Sequence, residues 1–366
     1  MQKNLILFMP SIEGGGVEKN LYIIANYLIK KIKKVSLITV SKKEKIRFNK
    51  KIKFITLNNS FWDNLNKKIK YIICLYLLFL EIIKNKNILV LCFQANMYCI
   101  ILCKIFNVKI IIRSNSSPSG WSNNFIKNFI FKNLLKLSNS IIVNSFEFQK
   151  ELTKKFKIKV NCIYNPLNTT EIIKKSKMKV KGNKFSNKKN INIINVARFT
   201  DQKDHLTLLR AINILKEKVK IRLLIIGRGI NKLKMENFIK ENTLQSSVKI
   251  INFTKNPYPY IKSSDLFILS SKFEGLPNVL LESLVLNKFI ISSDCPTGPS
   301  EILDNGKGGL LFKVGDYKDL VKKINYFLLN KKECKKKLKY AKKRLIRFNY
   351  NNNLNKYYEL IQKYIN

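Results

Sequence analysis

The fold is predicted most clearly by a single stretch, LFILSSKFEGLPNVLLESLVLNKFIISS, residues 266–293. It starts with an apolar run of strand length, passes through a turn that holds Gly275 and Pro277, and continues as a segment of helical length from Asn278. A proline at this place suits the start of a helix, where its missing N–H needs no partner. The stretch ends in a second apolar run, FIISS, so it predicts a strand, a helix and a strand that pairs parallel with the first.

The same alternation continues in both directions. In the second half of the chain the strand-like runs are NIINVAR, RLLIIGRG, VKIINF, LFILSS, FIISS and GGLLF. In the first half they are NLILFM, VSLITV, KFITL, NILVLCF, VKIIIR, SIIVNS and VNCIYNP. Helix-length segments separate these runs, which predicts an α/β fold with parallel sheets and helices on both faces.

Between the two halves lies a stretch dominated by Lys, Asn and Ser, which predicts a linker. We therefore predict an N-terminal Rossmann-like α/β domain (residues 1–167), a basic linker (168–190), a C-terminal Rossmann-like α/β domain (191–345) and a final helix (346–366). Ligands of open α/β sheets lie at the carboxyl ends of the strands, so we expect the site in a cleft between the domains.

The composition is strongly basic, with 70 Lys and Arg against 23 Asp and Glu, a formal net charge of +47. Such a charge favours phosphates, acidic lipid surfaces or nucleic acid as partners. A genome-wide bias toward Lys, Asn and Ile explains it equally well. A nucleic-acid-binding protein is the less favoured reading, because no RNP, KH or helix-turn-helix pattern is present and aromatic residues do not interleave the basic runs.

The seven cysteines include no C-x-x-C pair and lie in or beside apolar runs, which indicates free thiols in a reducing compartment. The N-terminal apolar run is too short for a signal peptide. The most apolar stretch, residues 71–83, is interrupted by Glu81 and is shorter than the roughly 18–20 residues that cross a bilayer. It is either a buried helix or a helix that lies on a membrane surface.

Three stretches have the residue types that bind a nucleotide sugar. Gly15 and Gly16 stand in a strand-to-helix turn, where backbone N–H groups can approach an anion, although a tight turn without a ligand is an equal alternative. Arg198 and Lys203 follow a strand and suit a diphosphate, although this spacing also fits solvated surface charges.

The third stretch is FEGLPNVLLES, in which the helix beginning near Asn278 offers its first N–H groups to a phosphate. Glu274 lies on the preceding loop, and Glu282 lies one helical turn after Asn278. Carboxylates accept hydrogen bonds from vicinal hydroxyls, so one carboxylate for a ribose and one for a hexose would fit a nucleotide sugar.

Taken together, GGGVEKNLYIIANYL, ARFTDQKD, FEGLPNVLLES, DCPTGPSEIL and GGLLF resemble the retaining glycosyltransferases of family 4. Among these, the pattern is similar to bacterial enzymes that build lipid-linked oligosaccharides, O-antigen or capsule. The resemblance implies the GT-B fold, in which two Rossmann-like α/β domains face each other across a cleft. It also implies that the N-terminal domain (1–167) binds the acceptor, that the C-terminal domain (191–345) binds the nucleotide sugar, and that the final helix (346–366) crosses back to pack on the first domain.

The resemblance also implies roles for single residues. Arg198 and Lys203 would neutralise the departing nucleoside diphosphate, Glu274 would bind hydroxyls of the transferred sugar, and Glu282 would bind the ribose. Backbone groups of four residues would hold the phosphates: Gly275, Leu276, Asn278 and Val279. From the first domain, Gly15 and Gly16 would reach the diphosphate.

Five further residues are weaker candidates. Thr297, Gly298 and Glu301 match a neighbouring loop of the family. Many relatives have a histidine in the first domain, whereas the only histidine of this chain is His205, which we expect to be a helix-cap or surface residue. Arg113 or Asn115 would then contact the sugar or the acceptor.

The function implied is transfer of a hexose or N-acetylhexosamine with retention, from a nucleotide sugar with UDP preferred to GDP, to a lipid-linked saccharide. No D-x-D motif is present, so we expect a metal-independent enzyme without a cofactor. We place it at the cytoplasmic face of the inner membrane, on an anionic lipid surface and without nucleic acid as partner. A sugar-nucleotide epimerase or a phosphorylase of the same fold is the alternative.

Overall fold

The structure is a computed structural model that describes residues 3–12, 15–40, 44–57, 61–62, 65–115, 124–179 and 190–365. The chain divides into two compact units. The first contains Met1–Pro166 and Tyr350–Asn366, and the second contains Leu167–Asn349. Each unit has its own parallel sheet.

The first unit contains a seven-stranded sheet. Its strands are β1 (Asn4–Phe8), β2 (Val35–Ile38), β3 (Lys53–Ile55), β4 (Ile88–Cys92), β5 (Lys109–Arg113), β6 (Ser140–Val143) and β7 (Asn161–Cys162). They lie in the order β3-β2-β1-β4-β5-β6-β7, and every neighbouring pair is parallel. Strands such as β1 and β4 are continuous apolar runs because helices cover both faces of the sheet.

The helices of the first unit, numbered along the whole chain, are α1 (Gly16–Leu28), α2 (Lys67–Lys84), α3 (Asn96–Ile105), α4 (Phe125–Lys136), α5 (Phe146–Phe156) and α14 (Tyr350–Ile365). Side chains of α1 and α14 belong to the core on one face of the sheet. Side chains of α2, α3, α4 and α5 belong to the core on the other face.

Helix α14 is separated in sequence from the rest of the first unit. Its apolar face, with Leu354, Tyr357 and Ile361, is fully buried in the same core as α1. The backbone N–H of Lys3 donates to the carbonyl oxygen of Ile365 at 3.1 Å, so the start of β1 and the end of α14 are adjacent.

The second unit contains a six-stranded parallel sheet in the order β10-β9-β8-β11-β12-β13. Its strands are β8 (Ile191–Val196), β9 (Ile221–Gly227), β10 (Val248–Asn252), β11 (Leu266–Leu269), β12 (Phe289–Ser293) and β13 (Leu310–Phe312). Its helices are α6 (Thr169–Ser176), α7 (His205–Leu215), α8 (Lys232–Glu241), α9 (Tyr258–Ser263), α10 (Asn278–Val285), α11 (Pro299–Leu303), α12 (Tyr317–Leu329) and α13 (Lys331–Arg344). The predicted α/β class with two Rossmann-like sheets is therefore confirmed.

The segment 168–190, which we predict to be a basic linker, is helical in part. Its first part forms α6, whose first turn is capped by the Asn168 side chain, which accepts a hydrogen bond from the N–H of Glu171 at 3.0 Å. Lys175 forms an ion pair with Glu171 on the next turn. The helix was missed because Ile172 and Ser176 are its only buried side chains, too few to produce a clear apolar period. Residues 180–189 lie outside the described residues.

Among the described helices, none is long and apolar enough to cross a membrane. All seven cysteines are free, and six of them are buried, whereas Cys162 is half-buried.

Candidate functional site

Two neighbouring strands of the second unit bring the predicted site residues together. β8 and β11 pair in parallel, with Ile193 opposite Leu266. Their carboxyl ends therefore meet at one edge of the sheet, where parallel α/β sheets bind ligands. The loop after β8 supplies Lys203, and the loop after β11 supplies Glu274.

Lys203 and Glu274 form an ion pair between Nζ and Oε1. Only 14% of the lysine side chain and 7% of the glutamate side chain are exposed. The same carboxylate oxygen accepts a hydrogen bond from Ser271 Oγ at 2.6 Å. An ion pair that is largely shielded from water interacts more strongly than a surface pair, so these contacts fix both side chains.

The two loops are also joined through their backbones. The Gln202 side chain donates to the carbonyl oxygen of Phe273 at 2.8 Å, and the N–H of Lys272 donates to the carbonyl oxygen of Gln202 at 2.8 Å. Ser270 Oγ donates to the carbonyl oxygen of Lys203 at 3.0 Å. These bonds hold the cation and the carboxylate in one arrangement.

A third loop, after β12, holds the backbone of Glu274. Thr297 Oγ1 donates to the Glu274 carbonyl oxygen at 2.7 Å. The next residue, Gly298, has a φ of +89°, and a Cβ atom there would lie 2.3 Å from the carbonyl oxygen of Gly275. Only glycine fits this close approach, so the FEGLP turn and the PTGP turn pack backbone to backbone.

Helix α10 begins at Asn278, as predicted. The preceding Pro277 has no side-chain group that could cap the helix, and the start of a helix carries a partial positive charge. Glu282 is buried on this helix, and its Oε1 accepts a hydrogen bond from Tyr258 at 3.3 Å. Leu276 is buried, whereas Val279 is half-buried.

Two predicted residues are in this unit but outside the ion-pair network. Arg198 is exposed two residues beyond β8, and it forms no ion pair with the described residues. Glu301 lies in the first turn of α11, where its carbonyl oxygen accepts a hydrogen bond from Arg347 at 3.1 Å.

Gly15 and Gly16 belong to the first unit, where Gly16 is the first residue of α1. A Cβ atom on Gly15 would lie 2.7 Å from Glu18 Oε2, so a carboxylate of the first turn lies beside this end of the helix. Glu13 and Gly14 of the same turn lie outside the described residues. The contact of Gly15 and Gly16 with a diphosphate stays a prediction.

Arg113 is completely buried in the first unit. Its Nε donates to the hydroxyl oxygen of Tyr357 at 2.9 Å, and its NH2 group donates to Asn165 Oδ1 at 2.6 Å. The side chain thus joins β5 to α14, which is a structural role. Asn115 is half-buried and donates to the carbonyl oxygen of Phe93 at 3.0 Å. The predicted contact of either residue with a sugar or acceptor stays a prediction.

His205 is not the surface or helix-cap residue that we expected. It is the first residue of α7, but its ring is buried and packs edge-on against Phe199 with ring centroids 5.4 Å apart. Neither ring nitrogen has a hydrogen-bond partner among the described residues. Burial, and then the nearby charge of Lys203, lower the pKa of His205 to about 4, so the ring is neutral at pH 7.

Sequence reasoning missed three polar side chains of the site: Gln202, Tyr258 and Ser271. Ser271 could have been suspected, since it directly follows a buried strand and precedes Glu274 by three residues. Tyr258 contacts Glu282 from a different helix, and no local pattern indicates this contact.

Residues 176–344, most of the second unit, match the family described as Glycosyl transferases group 1. This similarity agrees with the resemblance seen in the motifs of that part of the chain.

Two relatives are similar to this chain over part of their length. An uncharacterized glycosyltransferase of Methanocaldococcus jannaschii is 36% identical over 220 residues, which are 56% of this chain and 53% of that protein. The N-acetylgalactosamine-N,N'-diacetylbacillosaminyl-diphospho-undecaprenol 4-alpha-N-acetylgalactosaminyltransferase of Campylobacter jejuni is 30% identical over 228 residues, which are 59% of this chain and 60% of that protein. The chain thus spans a little over half the length of these relatives.

The fold extends further than the sequence similarity. The crystal structure of HepE from Anabaena in complex with UDP superimposes on this chain with a TM-score of 0.78, at 14% sequence identity. The match covers 98% of this chain and 100% of that chain. The expected GT-B fold is thereby confirmed.

Proposed function

We propose that this protein is a retaining glycosyltransferase. It would move a hexose or N-acetylhexosamine from a nucleotide diphosphate sugar, with UDP preferred to GDP, to a lipid-linked saccharide acceptor. The observation that carries the proposal is the ion pair of Lys203 and Glu274, because a diphosphate needs the cation and a sugar hydroxyl needs the carboxylate.

The arrangement suggests how a donor would bind. Lys203 and Glu274 now neutralise each other. A bound donor would give the lysine a phosphate oxygen and the carboxylate a sugar hydroxyl, so each group would exchange one partner for another of the same polarity. The start of α10 would add its partial positive charge to the phosphates, and Glu282, five residues into that helix, would accept from the ribose.

In the reaction, the bond between the sugar C1 and the diphosphate oxygen would break, and a bond from C1 to the acceptor oxygen would form on the same face. The proton of the acceptor hydroxyl would pass to the departing phosphate, so no general base is required. Lys203, and Arg198 once it turns toward the donor, would stabilise the growing negative charge of the leaving group. Because these cations take that role, we propose a metal-independent reaction.

The relatives support the acceptor and the stereochemistry. The name of the Campylobacter enzyme records a diphospho-undecaprenol acceptor and an alpha linkage, and HepE was crystallised with UDP. By analogy we propose an undecaprenyl-type lipid carrier, a role in cell-surface polysaccharide synthesis, and a place at the cytoplasmic face of the inner membrane.

The direct test is incubation of the purified full chain with radiolabelled UDP- and GDP-sugars and a panel of lipid-linked saccharides, with and without EDTA. We expect a labelled, alpha-linked lipid product from a UDP-sugar, formed equally with EDTA. A free epimerised nucleotide sugar would show an epimerase instead, and a phosphate-dependent sugar phosphate would show a phosphorylase. Either result without a glycosylated lipid would refute the proposal.

A further inference from the structure

Helix α2 carries apolar side chains on two opposite faces. The buried face points into the core with Cys74, Leu77, Leu78 and Ile82. At 100° per residue, a second stripe lies on the opposite side of the helix. All its members are exposed: Ile69, Ile72, Tyr76 and Ile83. A helix needs only one apolar face to pack on its sheet, and the second stripe is exposed among the described residues of this unit.

The next two helices repeat this arrangement. On α3 the exposed stripe consists of Tyr98, Ile101 and Ile105, opposite the buried Cys99, Ile100 and Cys103. On α4 it consists of Ile126, Phe129 and Ile130, opposite the buried Leu135. Scattered exposed apolar residues are normal, whereas stripes at helical spacing on three helices in a row are not.

The three helices belong to one layer of the first unit. α3 contacts both α2 and α4, and all three contribute to the same core beneath them. Phe79 of α2 also packs edge-on against Phe106, directly after α3, with ring centroids 5.4 Å apart. We refer to the outward stripes of α2, α3 and α4 together as the apolar face.

The charge around the apolar face is predominantly positive. Helices α2, α3 and α4 contain eight lysines and a single glutamate, Glu81. Six of these lysines are exposed, among them Lys68, Lys104 and Lys127, and the other two are half-buried. Apolar side chains surrounded by lysines match the surface of an anionic bilayer, which takes up the apolar groups and attracts the cations. Tyr76 and Tyr98 also suit this boundary, since each has an apolar ring and a polar hydroxyl.

From these observations we infer that the apolar face docks on the surface of an anionic lipid bilayer. A second copy of this chain is a poorer occupant, because pairing two such faces would bring their lysines together. The inference rests on the proposed function only in one respect: a lipid-linked acceptor gives the docking a use. The helices would lie on the surface and would not cross it.

The test uses the purified full chain without donor or acceptor. A variant with one substitution in each stripe, Ile72→Ser, Ile105→Ser and Phe129→Ser, removes side chains that are 67%, 70% and 58% exposed. We expect the native chain to co-sediment with vesicles of phosphatidylglycerol and phosphatidylcholine at low salt. The variant should bind roughly tenfold more weakly or worse, since each lost side chain removes apolar contact with the lipid.

The matched control removes three exposed apolar side chains of the second unit: Leu233→Ser, Leu329→Ser and Ile346→Ser. Their exposure, 68%, 83% and 70%, is similar, and vesicle binding should stay within about twofold of the native chain, since these side chains lie outside the apolar face. Circular dichroism and UDP binding should be native in both variants. Binding to pure phosphatidylcholine should be weak.

Three results would overturn the inference: no sedimentation of the native chain with anionic vesicles at low salt, equal loss of binding in the control variant, or a native dimer in solution that the three face substitutions dissociate. A failure of vesicle binding with intact UDP binding and sugar transfer would refute the docking and leave the proposed function standing. If the native chain binds anionic vesicles but does not bind UDP, the proposed function is refuted and the docking inference stands.

Discussion

Lys203 and Glu274 are 71 residues apart in sequence and form a nearly buried ion pair at the carboxyl ends of two adjacent strands. If a bound donor replaces each partner of this pair, the Glu274 carboxylate competes with the diphosphate for Lys203. Removing the carboxylate should therefore free the lysine for phosphate while destroying the sugar contact.

We expect Glu274→Gln to bind UDP more tightly than the native chain, by about threefold to tenfold, and to lose about 10²-fold or more in kcat. Lys203→Ala should weaken UDP binding, lower kcat to a similar extent, and cost about 2 kcal/mol of stability because it leaves a carboxylate unpaired. Isothermal titration with UDP and urea unfolding measure these changes.

The control is the exposed pair of Lys232 and Glu236 on α8, which has the same two residue types. Lys232→Ala and Glu236→Gln should each change stability by less than about 0.5 kcal/mol and leave UDP binding unaltered. Unchanged or weaker UDP binding by Glu274→Gln would contradict the exchange of partners.

Gly298 should tolerate no side chain. An added Cβ would meet the Gly275 carbonyl oxygen at 2.3 Å and Pro277 Cδ at 2.7 Å, and the φ of +89° is unfavourable for other residues. We expect Gly298→Ala to destabilise the protein by about 3 kcal/mol and to lower transfer activity, since the Glu274 loop must shift. Gly315, with a φ of +77° and open space around it, is the matched control. Gly315→Ala should cost only about 1 kcal/mol. Equal costs for the two variants in urea unfolding would show that the backbone contact is unimportant.

His205 should make the protein sensitive to acid. Its pKa is lowered to about 4 in the folded chain, from an ordinary value near 6.5. Above pH 6.5 both folded and unfolded chains hold it neutral. As the pH falls from 6.5 to 4, the unfolded chain binds the proton first, so folded stability is lost, by up to about 3 kcal/mol.

The chain has a single histidine, which makes the test clean. His205→Phe keeps a ring against Phe199 and removes the titration. As the pH falls from 7 to 5, the unfolding free energy of the native chain should therefore decrease relative to that of the His205→Phe variant. A difference that does not change over this range would show that folding does not lower the pKa of His205.

Arg113 should matter for folding more than for substrate binding. Arg113→Met leaves the hydroxyl of Tyr357 and the amide of Asn165 without their buried donor, and we expect a loss of about 3 kcal/mol. Tyr357→Phe removes one of these bonds and should cost about 1 kcal/mol. UDP binding should be unchanged in both variants. A stable Arg113→Met protein that has lost sugar transfer would instead support the predicted contact with sugar or acceptor.

Much of the fold could be predicted because strands such as β1 and β4 are mostly apolar runs and because α10 begins at a readable signal, Pro277, whereas α6 gave no such signal. That Lys203 and Glu274 belong to one site could be expected only from the family resemblance, because it depends on β8 and β11 being neighbours in the sheet. Their ion pair was not predicted. His205 was misjudged because a residue at the start of a helix is usually exposed, and its burial comes from packing on Phe199.

The position of α14 also has a consequence for biosynthesis. The core of the first unit includes Leu354, Tyr357 and Ile361, which are translated after every residue of the second unit. A nascent chain that has emerged as far as Asn349 has all of the second unit, yet it still lacks α14. Until α14 has been translated, only α1 and its neighbours cover that face of the first sheet. For this chain, the order of completion is the reverse of the order of translation.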